Sequence, residues 1–481
     1  MAERRPPSGR GRRPGRRPSG PAGPGAKRAP VKRAPADPAR AVAFDLLREV
    51  DENDAYANLV LPGLIRHRGL GPRDAGLATE LAYGTLRARG TLDSVIARCV
   101  DRDLDEVQPE VLDLLRLGTY QALRTRVPQH AAVATTVDLA HATGLGRASG
   151  FVNAVLRRIV VRSWDEWLDE LTEGLDPVSA LAQRTAHPEW IVEAFAAALH
   201  DDLDGPLDET RRALLADDER PLTHLVAWPG KVTREDLLAS TTDGRPGPYS
   251  PFAVRMAGGD PGVLPAVRDR HAGVQDEGSQ VCALALAAAP LEGRDERWLD
   301  LCAGPGGKAA LLAALAAERG AVLTANERRE HRAELVRRVT DQWGVDVRVG
   351  DAREFPRPEG GFDRVLVDAP CTGLGALRRR PEARWRRRAD DVADLAALQR
   401  ELLAAALRLT RPGGVVAYVT CSPHPAETTE IVAGHQLLDA RAVLPQPGDA
   451  APDLWGPGPT VQMWPHRHGT DAMFLALIRR V

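Results

Sequence analysis

Apolar positions along the chain recur with two different periods. From residue 40 to 162 they fall at helical spacing in "PARAVAFDLLREV", "GLATELAYGTLRARGTLDSVIARCV", "VLDLLRLGTYQALRT" and "FVNAVLRRIV". This predicts a compact all-helical domain with short connections. Residues 163–215 contain two further helical stretches, around "WDEWLDELTE" and "PEWIVEAFAAALH", and read as a helical connector. Residues 216–275 are short strand-like runs broken by Pro and Gly, such as "PLTHLVAWPG" and "GPYSPFAVRMAGGDP".

From 276 to the end the pattern alternates strand and helix. Strands are expected at "RWLDLCA" (297–303), "AVLTANE" (321–327), "VDVRVG" (345–350), "FDRVLVDAP" (362–370) and "GGVVAYV" (413–419). Helices stand between them, the longest at 390–410 before "RPGG". Such alternation predicts a mostly parallel sheet covered on both faces.

Charge adds a further segment. Over 481 residues the net charge is only −2, but residues 1–39 hold 11 Lys and Arg against two acids, a net of +9, leaving −11 for the rest. That first segment is rich in Pro, Gly and Arg and has little to bury, so it reads as a disordered basic arm suited to a polyanion such as RNA. No apolar run is long enough to span a membrane, and no apolar signal core opens the chain. Five scattered cysteines without a CxxC pair suggest neither zinc nor a disulfide framework and suit a reducing cytoplasm.

Ligands of open parallel sheets sit at the carboxyl ends of the strands. The first strand runs into "LDLCAGPGGK" (299–308), a glycine-rich turn that lacks both GxGxxG and GxxxxGK[ST], which disfavours a nucleotide phosphate loop. The second strand ends in Glu327, suited to vicinal ribose hydroxyls; Asp351 follows the third, and Asp368 ends the fourth. An adenosine held among acids without phosphates points to S-adenosylmethionine. Next come "DAPC" (368–371) and "TCS" (420–422), which put Cys371 and Cys421 at two strand ends expected to be neighbours. Paired cysteines suit carbon methylation of a pyrimidine. Cytosine C5 is a poor nucleophile until a thiolate adds to C6, and the thiolate is the working form of a cysteine.

These motifs resemble the NOL1/NOP2/Sun family of RNA cytosine-C5 methyltransferases, which carries AGPGGK, DAPC and TCS in this order. "VQDEGSQ" (274–280) and "HGTDAMFLALIRR" (468–480) also resemble that family. "ARAVAFDLL", "LRLGTYQAL" and "FVNAVLRRI" resemble the NusB RNA-binding fold, and the combination is similar to the Sun/Fmu branch, whose substrate is bacterial 16S rRNA. The resemblance spans about residues 40–481. It implies a multidomain chain: an all-α NusB-like domain (40–162), the connector (163–215), a small RNA-binding region (216–275) and a Rossmann-like methyltransferase domain (276–481). It implies Cys421 as nucleophile, Cys371 as the residue of product release, Asp368 as a contact to the base and Lys308 as a brace. Cys302, Ala303, Gly304, Pro305, Gly306, Gly307, Lys308, Glu327, Asp351 and Asp368 would surround S-adenosylmethionine. Two departures, Glu327 where many members have Asp and Gly278 where relatives often have Ala, leave the reaction intact.

"LRRRPEARWRRR" (377–388) follows Cys371 and holds seven arginines and Trp385. It is expected to grip phosphates, with Trp385 stacking on a base. Cys99 and Cys282 read as core, and Cys302 as packing within the first strand. His466 and His468 are candidates to touch RNA rather than a metal, and Trp190 and Trp228 are either core anchors or stacking platforms. The resulting expectation is a cytoplasmic monomer acting on small-subunit rRNA, with no metal and no membrane. A non-catalytic NusB-like antitermination factor, a tRNA methyltransferase and a DNA methyltransferase using Cys371 as nucleophile stand as alternatives.

Overall fold

A computed structural model describes residues 37–445 and 454–481. The expected basic arm therefore lies outside the described residues, except that Pro38 and Ala39 already belong to the first helix.

Ten helices come first: α1 (Pro38–Asn53), α2 (Ala57–His67), α3 (Pro72–Ala97), α4 (Pro109–Arg124), α5 (Gln129–Ala142), α6 (Ser149–Ile159), α7 (Trp164–Thr172), α8 (Pro177–Thr185), α9 (Glu189–Leu199) and α10 (Asp208–Asp218). The start of α1 is fixed by chemistry legible in the sequence. The Asp37 carboxylate accepts from the Arg40 amide at 3.0 Å, and Pro38 stands where no intrahelical N–H bond is needed. Leu46, Leu81, Leu86, Leu92 and Leu114 from α1, α3 and α4 fill the centre of this bundle. The stretch 163–215 carries four helices rather than the two expected. α8 begins behind an Asp176 cap and Pro177, and α10 is too polar to show an apolar stripe from sequence.

Four short strands follow: β1 (Thr223–Ala227), β2 (Arg245–Pro246), β3 (Ala253–Met256) and β4 (Ala272–Val274), in the order β2-β3-β1-β4. The buried Glu277 ties this sheet to what comes next. Its carboxylate accepts from the Tyr249 and Ser250 amides (2.7 and 2.8 Å) and pairs with Arg255 at 2.6 Å.

The large sheet contains β5 (Arg297–Asp300), β6 (Val322–Glu327), β7 (Asp346–Val349), β8 (Phe362–Asp368) and β9 (Thr410–Thr420), all parallel. The short β10 (Leu437–Leu438) and β11 (Val461–Gln462) both pair with β12 (Phe474–Arg479), which runs antiparallel beside β9. The order is β10-β12-β9-β8-β5-β6-β7. Its uninterrupted apolar strands alternate between two cores: Leu366, Val415, Ala417 and Val419 face one, and Val365, Val367, Val416 and Tyr418 the other. Helices Glu277–Ala288 and Gly307–Glu318 cover the first face, and Asp391–Leu409 covers the second. The chain runs outward from β5 through β6 to β7, then returns to β8 on the other side of β5. The strand order therefore reverses between β5 and β8, where a doubly wound sheet opens a crevice.

The arginine-rich stretch 377–388 corrects its expectation. Arg384 is fully buried, pairs with Asp218 at 2.7 Å and donates to the carbonyls of Asp217 (3.0 Å) and Ala186 (3.3 Å). Trp385 donates its indole N–H to the Leu86 carbonyl at 2.8 Å and lies against Gly90 of α3, so it does not present a stacking face. Arg386 donates to the carbonyls of Val50 and Ala55, both at 2.7 Å. Arg378 and Arg379 share Asp471 and Asp276. Backbone carbonyls and three carboxylates take up these guanidinium groups because the stretch lies between the helical bundle and the large sheet, where water has little access. It is a clamp between the two parts of the fold.

The histidine expectation is also corrected. His468 is buried, stacked on Trp455 and bonded to the Leu454 carbonyl at 2.8 Å; His466 meets Glu209 at 2.7 Å. Trp228 is a core anchor, edge-on to Trp343, and Trp190 packs on the core around Phe195. Cys99 and Cys282 are buried. Cys302 lies in the turn beyond β5 rather than within the strand.

Candidate active site

The carboxyl ends of β5, β6, β8 and β9 bring the sequence-predicted residues to one crevice. After β5 the chain turns through Cys302, Ala303, Gly304, Pro305 and Gly306 into the helix that starts at Gly307. Gly306 has φ +114°, open to glycine alone, and Gly304 lies so close to Glu327 that a Cβ there would overlap the carboxylate. That carboxylate accepts from the Gly304 amide at 3.1 Å and the Arg329 amide at 3.0 Å, and Arg332 reaches over both it and the Gly304 carbonyl. Asp351, beyond β7, is half-exposed. Arg353 grips it at 2.6 and 2.9 Å and holds its carboxyl down at about 2.

Lys308, on the first turn of the helix, bridges the crevice to Asp368 at the end of β8, 2.8 Å away. Burial alone would lower the lysine, but Asp368 and the sulfurs of Cys282 and Cys421 outweigh it and hold the ammonium above its usual range. Beside this pair stands Asp300, which the sequence reading passed over although it lies inside the quoted motif. It is fully buried, its Oδ2 has no partner, and burial with Asp368 alongside pushes it up to about 8.

The neighbouring pairing of β8 and β9, with Asp368 opposite Val419, brings the two cysteine turns together. Cys371 Sγ and Cys421 Sγ are 3.4 Å apart. The buried Glu427, also unread in the sequence, fixes both turns. It accepts from the Thr372 amide at 2.8 Å, from the Thr372 hydroxyl and from Gln399 at 3.1 Å, while Tyr418 donates to its carbonyl at 2.9 Å. The Gly375 amide donates to the Cys421 carbonyl at 2.9 Å.

The two sulfurs are electrostatically unequal. The hydrogen bond shared with Cys371, aided by Arg380 and Lys308, lowers the Cys421 thiol against the opposing effects of burial and Asp368. The same bond, with burial, raises Cys371 far above an ordinary thiol. Burial raises Cys99, Cys282 and Cys302 as well, so Cys421 alone among the five is held toward the thiolate.

Comparison with known proteins gives the family and the fold. Residues 285–479 match the family model of the 16S rRNA methyltransferase RsmB/F, and residues 37–161 match the NusB family. The chain is 55% identical over 458 residues to the putative methyltransferase Rv1407 of Mycobacterium tuberculosis, covering 94% of this chain and 98% of the relative. It is 31% identical to the probable ribosomal RNA small subunit methyltransferase B of Bacillus subtilis, covering 92% and 98%. Among solved structures, that of PH0851 shares the fold with a TM-score of 0.74 at 23% identity, covering 93% of this chain and 99% of the other.

The donor set suits S-adenosylmethionine: a carboxylate at the end of β6 for two hydroxyls, a glycine cradle that a Cβ would fill, and acids facing the crevice. Gly304→Ala is therefore expected to displace the Glu327 carboxylate and weaken cofactor affinity at least about tenfold, the order of one charge-assisted hydrogen bond. Titration calorimetry with S-adenosylhomocysteine checks it, and unchanged affinity would remove Glu327 from the cofactor site. The chain belongs to the RsmB/F family of S-adenosylmethionine-dependent 16S rRNA methyltransferases, with a NusB-type helical domain preceding the catalytic sheet.

Proposed function

We propose that the chain methylates C5 of a cytosine in 16S rRNA through a covalent adduct between Cys421 and C6 of the base. The observation that carries this reading is the pair of sulfurs 3.4 Å apart at the carboxyl ends of β8 and β9, beside the Lys308–Asp368 ion pair. The enzyme acts in the cytoplasm as a monomer. The helical domain and the four-stranded sheet hold the RNA while the carboxyl ends of the large sheet perform the chemistry.

The Cys302–Lys308 turn, Glu327, Asp351 and Asp368 hold S-adenosylmethionine, which supplies an electrophilic methyl group when bound. Cys421 sulfur forms a bond to C6 and the C5–C6 electron pair becomes available at C5, which takes the methyl. Asp368, steadied by Lys308, contacts the N3 and N4 edge of the base and stabilises the adduct. Loss of the C5 proton to a base then returns that bond pair to C5–C6, the C6–S bond breaks, and Cys421 leaves as thiolate with Cys371 assisting release. A base within a duplex cannot reach the sulfur, so the target is looped out or flipped.

Trapping tests the assignment. Cys371→Ala incubated with cofactor and a small-subunit rRNA fragment is expected to give a protein–RNA band on a denaturing gel. The band is expected to vanish in the Cys371→Ala, Cys421→Ala double variant. A band that depends on Cys371 instead would reverse the two roles.

A further inference from the structure

At the seam between the helical bundle and the catalytic sheet, an aromatic ring stands open to solvent. Tyr56 leads into α2 and is 47% exposed, and Leu59 on the next turn is 71% exposed. The Tyr56 ring is faced by two guanidinium groups, Arg380 at 5.6 Å and Arg386 at 5.9 Å. Their situations differ. Arg386 is committed to the carbonyls that close α1, with the exposed Asp54 at 3.8 Å. Arg380 is exposed and has no ion-pair partner among the described residues, unlike Arg378, Arg379 and Arg384 in the same stretch.

Arg380 is also tied closely to the reactive cysteine. Its amide donates to the Ala376 carbonyl at 2.9 Å, one turn from Gly375, whose amide holds the Cys421 carbonyl. An unpaired guanidinium held over an exposed ring, on the stretch that supports the Cys421 turn, is the combination that receives a nucleotide: the cation takes a phosphate and the ring takes a base.

We propose that Tyr56 and Arg380 seat the single-stranded RNA nucleotide adjacent to the target cytosine, its base against the Tyr56 ring and its phosphate on Arg380. This rests on the proposed RNA reading and adds the path by which the strand reaches the crevice: across the seam, touching the helical and catalytic parts together. The ring holds the guanidinium in place before RNA arrives, so little side-chain freedom is lost on binding.

The test compares wild type, Tyr56→Ala, Tyr56→Phe and Arg380→Gln with a small-subunit rRNA fragment. Affinity is read by fluorescence anisotropy at several salt concentrations, and S-adenosylhomocysteine affinity by calorimetry. Tyr56→Ala is expected to weaken RNA binding about 10- to 100-fold, and Tyr56→Phe to restore it, since stacking needs the ring and not the hydroxyl. Arg380→Gln is expected to weaken binding and reduce the salt slope by about 1. Cofactor affinity stays unchanged in all three. Both positions are exposed, and an unchanged melting transition separates lost binding from lost folding. RNA affinity and salt slope equal to wild type in Tyr56→Ala and Arg380→Gln would overturn the proposal. If wild type binds the fragment without methylating C5, the cytosine reading falls while the binding comparison still decides this one. If wild type binds no RNA, both fall.

Discussion

Lys308→Met is expected to slow methyl transfer by about 100- to 1,000-fold, the order seen when one preorganised electrostatic donor is removed from an enclosed site. The ammonium lies 2.8 Å from Asp368, with side chains 9% and 29% exposed, and the unpartnered Asp300 carboxyl stands beside them. Without the ammonium, two acids share a crevice with no cation between them. The same cation helps to lower Cys421, so its loss raises that thiol. The sign follows for the rate. On the proposed mechanism the active form is the thiolate, present above the thiol pKa, so the acid limb of the single-turnover rate is expected to move to higher pH in the variant. Single-turnover rates from pH 6 to 10 with rRNA fragment and saturating cofactor measure both effects. A slower reaction with an unshifted acid limb would leave Lys308 bracing Asp368 and remove it from the activation of Cys421.

The second large effect is on stability. Arg384→Ala is expected to cost about 3–5 kcal/mol, the range for removing one partner of a buried ion pair. The guanidinium is fully buried between α10 and the catalytic sheet, and its removal strands Asp218 and the carbonyls of Asp217 and Ala186. Guanidinium-chloride unfolding followed by tryptophan fluorescence reads the loss; a cost below about 1 kcal/mol would show that the helical bundle is held mainly by apolar contacts. The neighbouring Asp217 adds a pH signature. Burial raises its carboxyl from 3.8 to about 8, against the pull of Arg384. A folded-state pKa above the unfolded one means the native state holds the proton more tightly. This contribution is full below about pH 4 and is lost as pH rises through 8. Asp217→Asn is expected to flatten that decline.

The strand ends were legible because a parallel sheet turns chain order into spatial order. Glu327, Asp368 and Cys421 each close an apolar run, and the crevice follows from β5 and β8 lying side by side. Asp300 escaped notice inside a quoted motif, and Glu427 a few residues beyond another. An acid inside or just beyond a motif carries no sign of burial until its neighbours are placed. The arginine stretch failed for a related reason. Seven arginines within twelve residues look solvated when counted along the chain, and only the third dimension shows carbonyls from α1, α3 and the residue that ends α8 closing on them. Residues 216–275 were faint because their strands are two to five residues long, too short for a period-two pattern to accumulate.

The clamp formed by residues 378–386 leaves Cys371 and springs from the same short stretch that supports Cys421 through Gly375. The span between the helical bundle and the Cys421 turn is thus set by a bracket only about ten residues long, tied by ion pairs and buried carbonyls. Such a construction works as a caliper. On the proposed reaction, an RNA gripped at one jaw would present to the other only the nucleotide lying one set span away, and the choice of target would become a measured length as much as a recognised sequence.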